Sequence, residues 1–184
     1  MPRKLLRDGQ IVEDDWQYLA ETQAESRAAT GGESNSLASE IHHVADTPAP
    51  GGLILPFDQW LSERDRWFSY PGRLGVVLLP THKVERLGPD LSRFALIGAE
   101  FPGPSDGRGY TQGRLLRERW KFGGELRATG YVRHDQLFFL ARCGFNSFEL
   151  PESDLVHAAS AFTTFSAEYQ PSNDEGLPLK LQRR

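Results

Sequence analysis

The sequence predicts an α/β domain built on an open, mainly parallel sheet of about four to five strands with helical crossovers, plus a small N-terminal β-hairpin. Three observations point there. The continuous apolar runs "LGVVLLP" (Leu74 to Pro80) and "FALIGAEF" (Phe94 to Phe101) have the length and composition of strands buried on both faces. Segments with helical spacing separate the strands, the alternation that builds parallel sheets through right-handed crossovers. Near the start, Asp8-Gly9 sits between short apolar pairs, the strongest two-residue hairpin signal.

Taken in order, residues 1–20 form the hairpin arm. Residues 21–52 are rich in Ala, Ser, Gly, Glu and Pro and nearly free of large apolar side chains. Such a stretch cannot bury enough surface to offset its ordering entropy, so it reads as a flexible polar insert. Its neighbouring histidines, His42 and His43, diverge and have no third ligand close by in sequence, so no metal site is expected. The α/β domain spans 53–170. It opens with a short strand at Leu53 to Leu55 and a helix carrying Trp60, Leu61, Trp67 and Phe68. The two apolar strands follow, joined by a short connection. Next come a helix from about Tyr110 to Lys121 and a third strand over Glu125 to Val132. A helix with Leu137, Phe138, Leu140 and Ala141 facing inward stops at Gly144, and "FNSFEL" supplies another strand. A last helix carries Leu155, Val156, Ala159 and Phe162 on one face, and residues 171–184 are a tail. The same units could wind into an incomplete barrel; a full eight-fold barrel is excluded by length, and an open sheet is expected.

Composition narrows the function classes. The chain has 184 residues and a formal net charge of −4, of the wrong sign for a general nucleic-acid binder. Charge is unevenly spread: residues 1–50 hold nine acids against four Lys/Arg, whereas residues 106–142 hold eight Lys/Arg against four acids. The single cysteine, Cys143, excludes an internal disulfide, a dithiol redox pair and a self-sufficient iron–sulfur site. It is expected to be a packing residue. No apolar run approaches the roughly 20 residues of a membrane helix, and no secretory leader is evident. A cytoplasmic protein with no membrane or nucleic-acid partner is expected.

Ligands of parallel sheets gather beyond the carboxyl ends of the strands. Strand 94–101 exits into "PGPSDGRGY", strand 125–132 into "RHDQ", and Thr81, His82 and Lys83 follow the strand before them. The first of these loops is suited to an oxyanion. Gly107 and Gly109 permit close backbone approach, Arg108 offers a planar donor fork, and Tyr110 and Gln112 follow at the helix start. Asp135, Tyr110 and His134 are the candidate proton-transfer groups, His134 by intrinsic pKa. The bland readings stand beside these. Asp106 is a common turn former, Asp135 a common helix cap, and Arg114, Arg117 and Arg119 suit a solvated helix face. Gly107-x-Gly109-x-x-x-Gly113 lies too far from its strand to be a dinucleotide fingerprint, and no acidic residue follows where one is required. No cofactor is evident.

The region from Leu74 to Tyr169, with "DGRGY", "LLRER", "GELRA", "HDQLFF" and "RCGF", resembles the bacterial domain of unknown function 934 family. Asp106, Gly107, Arg108, Gly109, Tyr110, Gln112, Arg114, Arg117, Asp135, Gln136, Arg142, Cys143 and Gly144 carry the match, while His134 departs from it. Members of that family are encoded next to sulfite reductase and labelled as oxidoreductases of sulfite reduction. The resemblance therefore implies an accessory protein of assimilatory sulfite reduction and cysteine biosynthesis, with sulfite reductase as partner. The alternative is a small α/β enzyme that binds an oxyanion or a phosphorylated metabolite at the rim formed after strands 94–101 and 125–132.

Overall fold

The computed structural model describes residues 3–19 and 51–158. The polar insert up to residue 50, with His42 and His43, and the C-terminal tail lie outside them. Strands β1 (Lys4–Arg7) and β2 (Gln10–Glu13) form the expected antiparallel hairpin. Asp8 and Gly9 at its tip have φ of 50° and 77°. Two successive positive φ values give the primed turn whose twist matches that of the flanking strands. The hairpin is part of the main sheet, because β1 also pairs antiparallel with β8 (Ser147–Phe148).

Six strands run parallel: β3 (Trp16–Tyr18), β4 (Gly52–Pro56), β5 (Leu74–Leu78), β6 (Phe94–Phe101), β7 (Glu125–Gly130) and β8. The order is β2-β1-β8-β7-β6-β5-β4-β3. Eight strands correct the expected four to five. The hairpin adds two, and β3 is too short, three residues with two polar-ended ones exposed, to announce itself by pattern. From β3 to β8 the chain adds each strand beside the last without reversing, so this sheet has no switch point and curls, as the start of a barrel does. Its flanks meet through side chains: the Tyr18 hydroxyl donates to Glu149 Oε1 at 2.5 Å.

Helices α1 (Phe57–Ser62) and α2 (Arg64–Phe68) follow β4, and a 3-10 segment (Val84–Arg93) joins β5 to β6. Helix α3 (Arg108–Arg114) continues as a π-helical turn (Leu115–Arg119) before β7. A 3-10 turn (His134–Gln136) and α4 (Leu137–Arg142) lead to β8, and α5 (Glu152–Ala158) ends the described chain. Leu155 is buried in α5, but Val156 is 75% exposed, which corrects the expected inward face; Ala159 and Phe162 lie outside the described residues.

Strand periodicity divides the core in two. Leu53, Leu55, Val76, Leu78, Ile97, Ala99, Leu126 and Ala128 point outward from the curl and pack beneath the helices, against Trp60, Trp67, Leu116, Leu137 and Leu140. Trp60 and Trp67 are fully buried, and truncating such a residue typically costs about 3–5 kcal/mol. On the concave face the alternate residues Trp16, Ile54 and Leu96 make a smaller apolar cluster with Val77 and Ala95.

Beside that cluster lies a buried ion network. Arg127, on β7, has no exposed surface and stands in register between Gly98 and Ser147, whose small side chains leave it room. Each of its five N–H groups finds a carboxylate. Nε and Nη2 donate to Glu125 (3.0 and 2.8 Å), Nη1 and Nη2 to Asp14 (3.1 and 3.0 Å), and Nη1 also to Glu149 (3.2 Å). Arg3 bonds Asp14 and Glu149, and Arg7 reaches Glu125 at 3.4 Å. Three arginines thus balance three carboxylates. Burial alone would favour a neutral Arg127, but Glu125 and Asp14 outweigh it and hold the guanidinium protonated.

Arg117, expected on the solvated face, turns inward. Its guanidinium donates to the carbonyls of Gly144 (2.9 Å), Gly124 (2.9 Å) and Phe122 (2.5 Å) and to Asn146 Oδ1 (3.2 Å). One side chain therefore fastens the π turn to the segments entering β7 and β8. Arg114 and Arg119 do pair at the surface, with Glu118 and Glu85.

Removing Arg127 leaves three inward carboxylates to Arg3 and Arg7 alone, one positive charge short, so Arg127→Ala is expected to lose about 3–5 kcal/mol in equilibrium urea unfolding. Arg127→Lys should recover little, because three ammonium donors cannot replace five fixed ones. The network also sets an acid limit. Burial opposes ionisation of Asp14, yet the Arg3 hydrogen bond and the Arg127 charge more than offset it, so its carboxyl titrates below the usual aspartate range. Such a group adds stability that is present above the unfolded pKa of about 3.9 and lost as the pH falls through the lower folded value. Asp14→Asn should be less stable at neutral pH and should lose less on going from about pH 5 to pH 2. Unfolding curves across that range measure this, and parallel acid limbs for the two proteins would contradict it.

Candidate functional site

Strands β4 to β7 end on one edge, at Pro56, Leu78, Phe101 and Gly130. There the concave face opens into a cavity of about 280 Å³. Phe57, Val77 and Leu79 form its apolar wall, and Tyr18, Asp58, His82, Glu100, Thr129 and Glu149 bring its polar side chains. Three of these stand side by side. Glu100 of β6 pairs in register with Thr129 of β7, and the Glu149 N–H donates to the neighbouring Ala128 carbonyl at 3.0 Å. Two inter-strand spacings separate the Glu100 and Glu149 backbones by about 10 Å.

Their environments differ sharply. Glu149 is held by Arg127, by Arg3 and by the Tyr18 hydroxyl. Glu100 has no hydrogen-bond or ion-pair partner among the described residues, although it is half-buried at the end of the central strand. Tyr18 stays a neutral phenol across the physiological range: burial, then the charge and hydrogen bond of Glu149, push its pKa well above the ordinary value. Thr129 is buried and its hydroxyl leans on the Ala99 carbonyl at 3.4 Å. His82 accepts the Leu79 N–H on Nδ1 (3.0 Å), which leaves its proton on Nε2, 3.3 Å from Asp58 Oδ2. Its ring packs on Phe57 with centroids 4.5 Å apart.

The residues singled out from the sequence fall into three places. Since β5, β6 and β7 are parallel neighbours, the loops that follow them do leave from one edge. Arg108 is exposed and donates from Nε and Nη2 to Asp106 (2.9 and 2.6 Å), and its backbone N–H bonds the same carboxylate at 3.2 Å. An incoming oxyanion therefore competes with a carboxylate already in the fork. Gly107 precedes α3 as its capping residue. Gly109 is buried, and a Cβ there would stand 2.5 Å from the Phe101 ring, so its smallness serves packing. Tyr110 meets that ring edge-on at 5.3 Å, and burial, with Cys143 and Asp135 nearby, raises its pKa. Gln112 is buried beneath the mouth: Nε2 donates to the Leu79 and His82 carbonyls (2.8 and 3.0 Å), fixing the loop that carries His82.

His134 and Asp135 line not the mouth but a separate hollow of about 330 Å³ shared with Arg133, Asp154 and His157, while Asp135 stays within electrostatic reach of Tyr110. Arg133 Nε and the His134 N–H both bond Asp154 Oδ2 at 3.2 Å. Cys143 is half-buried against the outer core, and burial raises its thiol pKa. Among the described residues no three His, Cys, Asp or Glu side chains gather as a metal site, and no helix is long and apolar enough to cross a membrane.

Glu100, Thr129, Glu149 and Tyr18 are absent from the sequence-based candidates. The available signal was charge at alternate positions of apolar strands: Glu100 follows Leu96 and Gly98 in "FALIGAEF", and Glu125, Arg127 and Thr129 alternate in "ELRATG". Period two makes such a series one face.

No curated protein matches this chain. The family model described as "Bacterial protein of unknown function (DUF934)" matches residues 75–180, the stretch that supplies Glu100, Arg127, Thr129 and Glu149, and the chain belongs to that family.

Proposed function

We propose that this protein is an accessory α/β protein of assimilatory sulfite reduction that works by holding a small molecule in the mouth of its curled sheet. The observation that carries the ligand-binding part is Glu100, a carboxylate without a partner among the described residues, inside a cavity at the carboxyl edge. Pairing or exposure is the usual fate of a carboxylate, and a free one in a concave site is where recognition chemistry is found. The setting in sulfite reduction, with sulfite reductase as the partner, rests on the family resemblance alone. Small-molecule binding and partnership are compatible, since the mouth occupies one edge of the sheet and leaves the helical surface for docking. His82, with Nε2 toward Asp58, and the neutral Tyr18 hydroxyl are further polar groups of the cavity lining. Asp135, Tyr110 and His134 remain the proton-transfer candidates of the neighbouring loops, and Arg108 their anion contact.

A growth experiment tests both parts. A deletion strain is expected to grow on sulfide and to fail on sulfite as sulfur source, and the wild-type chain should restore growth. Glu100→Phe, which fills the mouth with an apolar ring, should not restore it at equal protein level. Growth of the deletion strain on sulfite would sink the metabolic setting, and full rescue by Glu100→Phe would sink the mouth.

A further inference from the structure

From the hydrogen-bond polarity of the mouth we infer that its ligand is a small primary amine, bound through its ammonium group at Glu100. This rests on the reading of the mouth as the binding site and adds the chemistry of the occupant. Charge is the first argument. On the concave face Arg3, Arg7 and Arg127 balance Asp14, Glu125 and Glu149, so the network beneath the mouth is neutral. Glu100 stands outside that balance, as does the exposed Asp58 at the rim beside His82, and no Lys or Arg lines the cavity among the described residues. An occupant that brings a positive charge supplies what the protein withholds.

Donor and acceptor accounting is the second argument. Both Glu100 oxygens are free acceptors among the described residues. The Tyr18 hydroxyl spends its proton on Glu149 and the Thr129 hydroxyl leans its proton on Ala99, so both oxygens turn lone pairs to the cavity. His82 holds the sole side-chain N–H of the lining, and it is directed at Asp58. The mouth therefore presents acceptors on the neighbouring strands β6 and β7 and, from across the curl, on β3, and asks for donors. An ammonium group carries three donors and a positive charge on one compact centre, whereas sulfite or phosphate would bring negative charge and mostly acceptors to a carboxylate. A hard dication is less suited, because the described residues hold no metal-binding trio. Size and wall complete the assignment. The volume, about 280 Å³, lies at the small end for ligand sites, and Phe57, Val77 and Leu79 give a short aliphatic chain an apolar bed.

The experiment is a titration of the full chain followed by amide NMR with three probes of equal length: 4-aminobutan-1-ol, butane-1,4-diol and 4-hydroxybutanoate. The amine is expected to shift the Glu100, Thr129 and Gly130 amides saturably, while the diol and the acid leave them in place at the same concentrations. Glu100→Gln should weaken the amine at least tenfold with an unchanged melting temperature, and Glu100→Asp, which keeps the charge, should stay within a few-fold of wild type. If the diol or the acid saturates the mouth as well as the amine, or if Glu100→Gln binds the amine normally, the ammonium assignment is overturned while the mouth stands. If none of the three probes moves a mouth amide, the mouth itself is overturned as the site.

Discussion

The concave half of this molecule depends on one guanidinium. Arg127 sits where a curled parallel sheet would ordinarily place an aliphatic side chain, and its five donors reach carboxylates from the loop before β3, from its own strand and from the residue after β8. An unpaired ion of this kind would be untenable inside a protein. Its presence requires that Asp14, Glu125 and Glu149 all be delivered to the same point, and this requirement fixes how tightly the sheet curls and where its N-terminal hairpin docks. A hydrophobic layer could have closed the same space; the ionic one also dictates register, since a one-residue slip of β7 would send Arg127 to the helical side.

That neutral platform explains why a single carboxylate above it matters. Asp14 and Glu149 are acidic but spoken for, so the uncompensated charge of the mouth comes from half-buried Glu100 and, at the exposed rim, from Asp58. The basic loop beyond β6 behaves in the opposite sense. Arg108 is closed on Asp106 and Arg117 on backbone carbonyls, so the positive character of residues 106–142 is largely consumed internally. Local sequence charge is a poor guide to surface potential when guanidinium groups have fixed partners.

Much of the outer architecture was legible in the sequence. Strand β6 runs from Phe94 to Phe101, as its apolar run implied, and Asp8-Gly9 makes the hairpin turn. These features are local: an uninterrupted apolar stretch or a dipeptide that tolerates positive φ says the same thing in any context. What was not legible is long-range. Arg117 looks like any helical arginine until the segments entering β7 and β8 bring three carbonyls to it, and Arg127 looks like an edge residue until Asp14 arrives. Tyr18 and Glu149 become neighbours only through the curl. The candidate loops do leave the sheet from one common edge, as parallel strands dictate, but the groups facing the cavity come from strand ends, where a charged residue among apolar ones is easily read as the boundary of a strand.

The hairpin's position has a consequence for how the chain is made. Strand β1 finds its second neighbour, β8, only near the end of the described chain, and the Arg127–Asp14 and Arg3–Glu149 contacts span 113 and 146 residues. During synthesis the first fifteen residues emerge with Asp14 and Arg3 and must wait for nearly all of the remaining strands before the sheet can accept them. Contacts so distant in sequence close late and slow the approach to the native state. Until then the nascent chain carries an open curl whose inner-face arginine has only Glu125 of its own strand as partner, a form that solvent tolerates and a closed core would not.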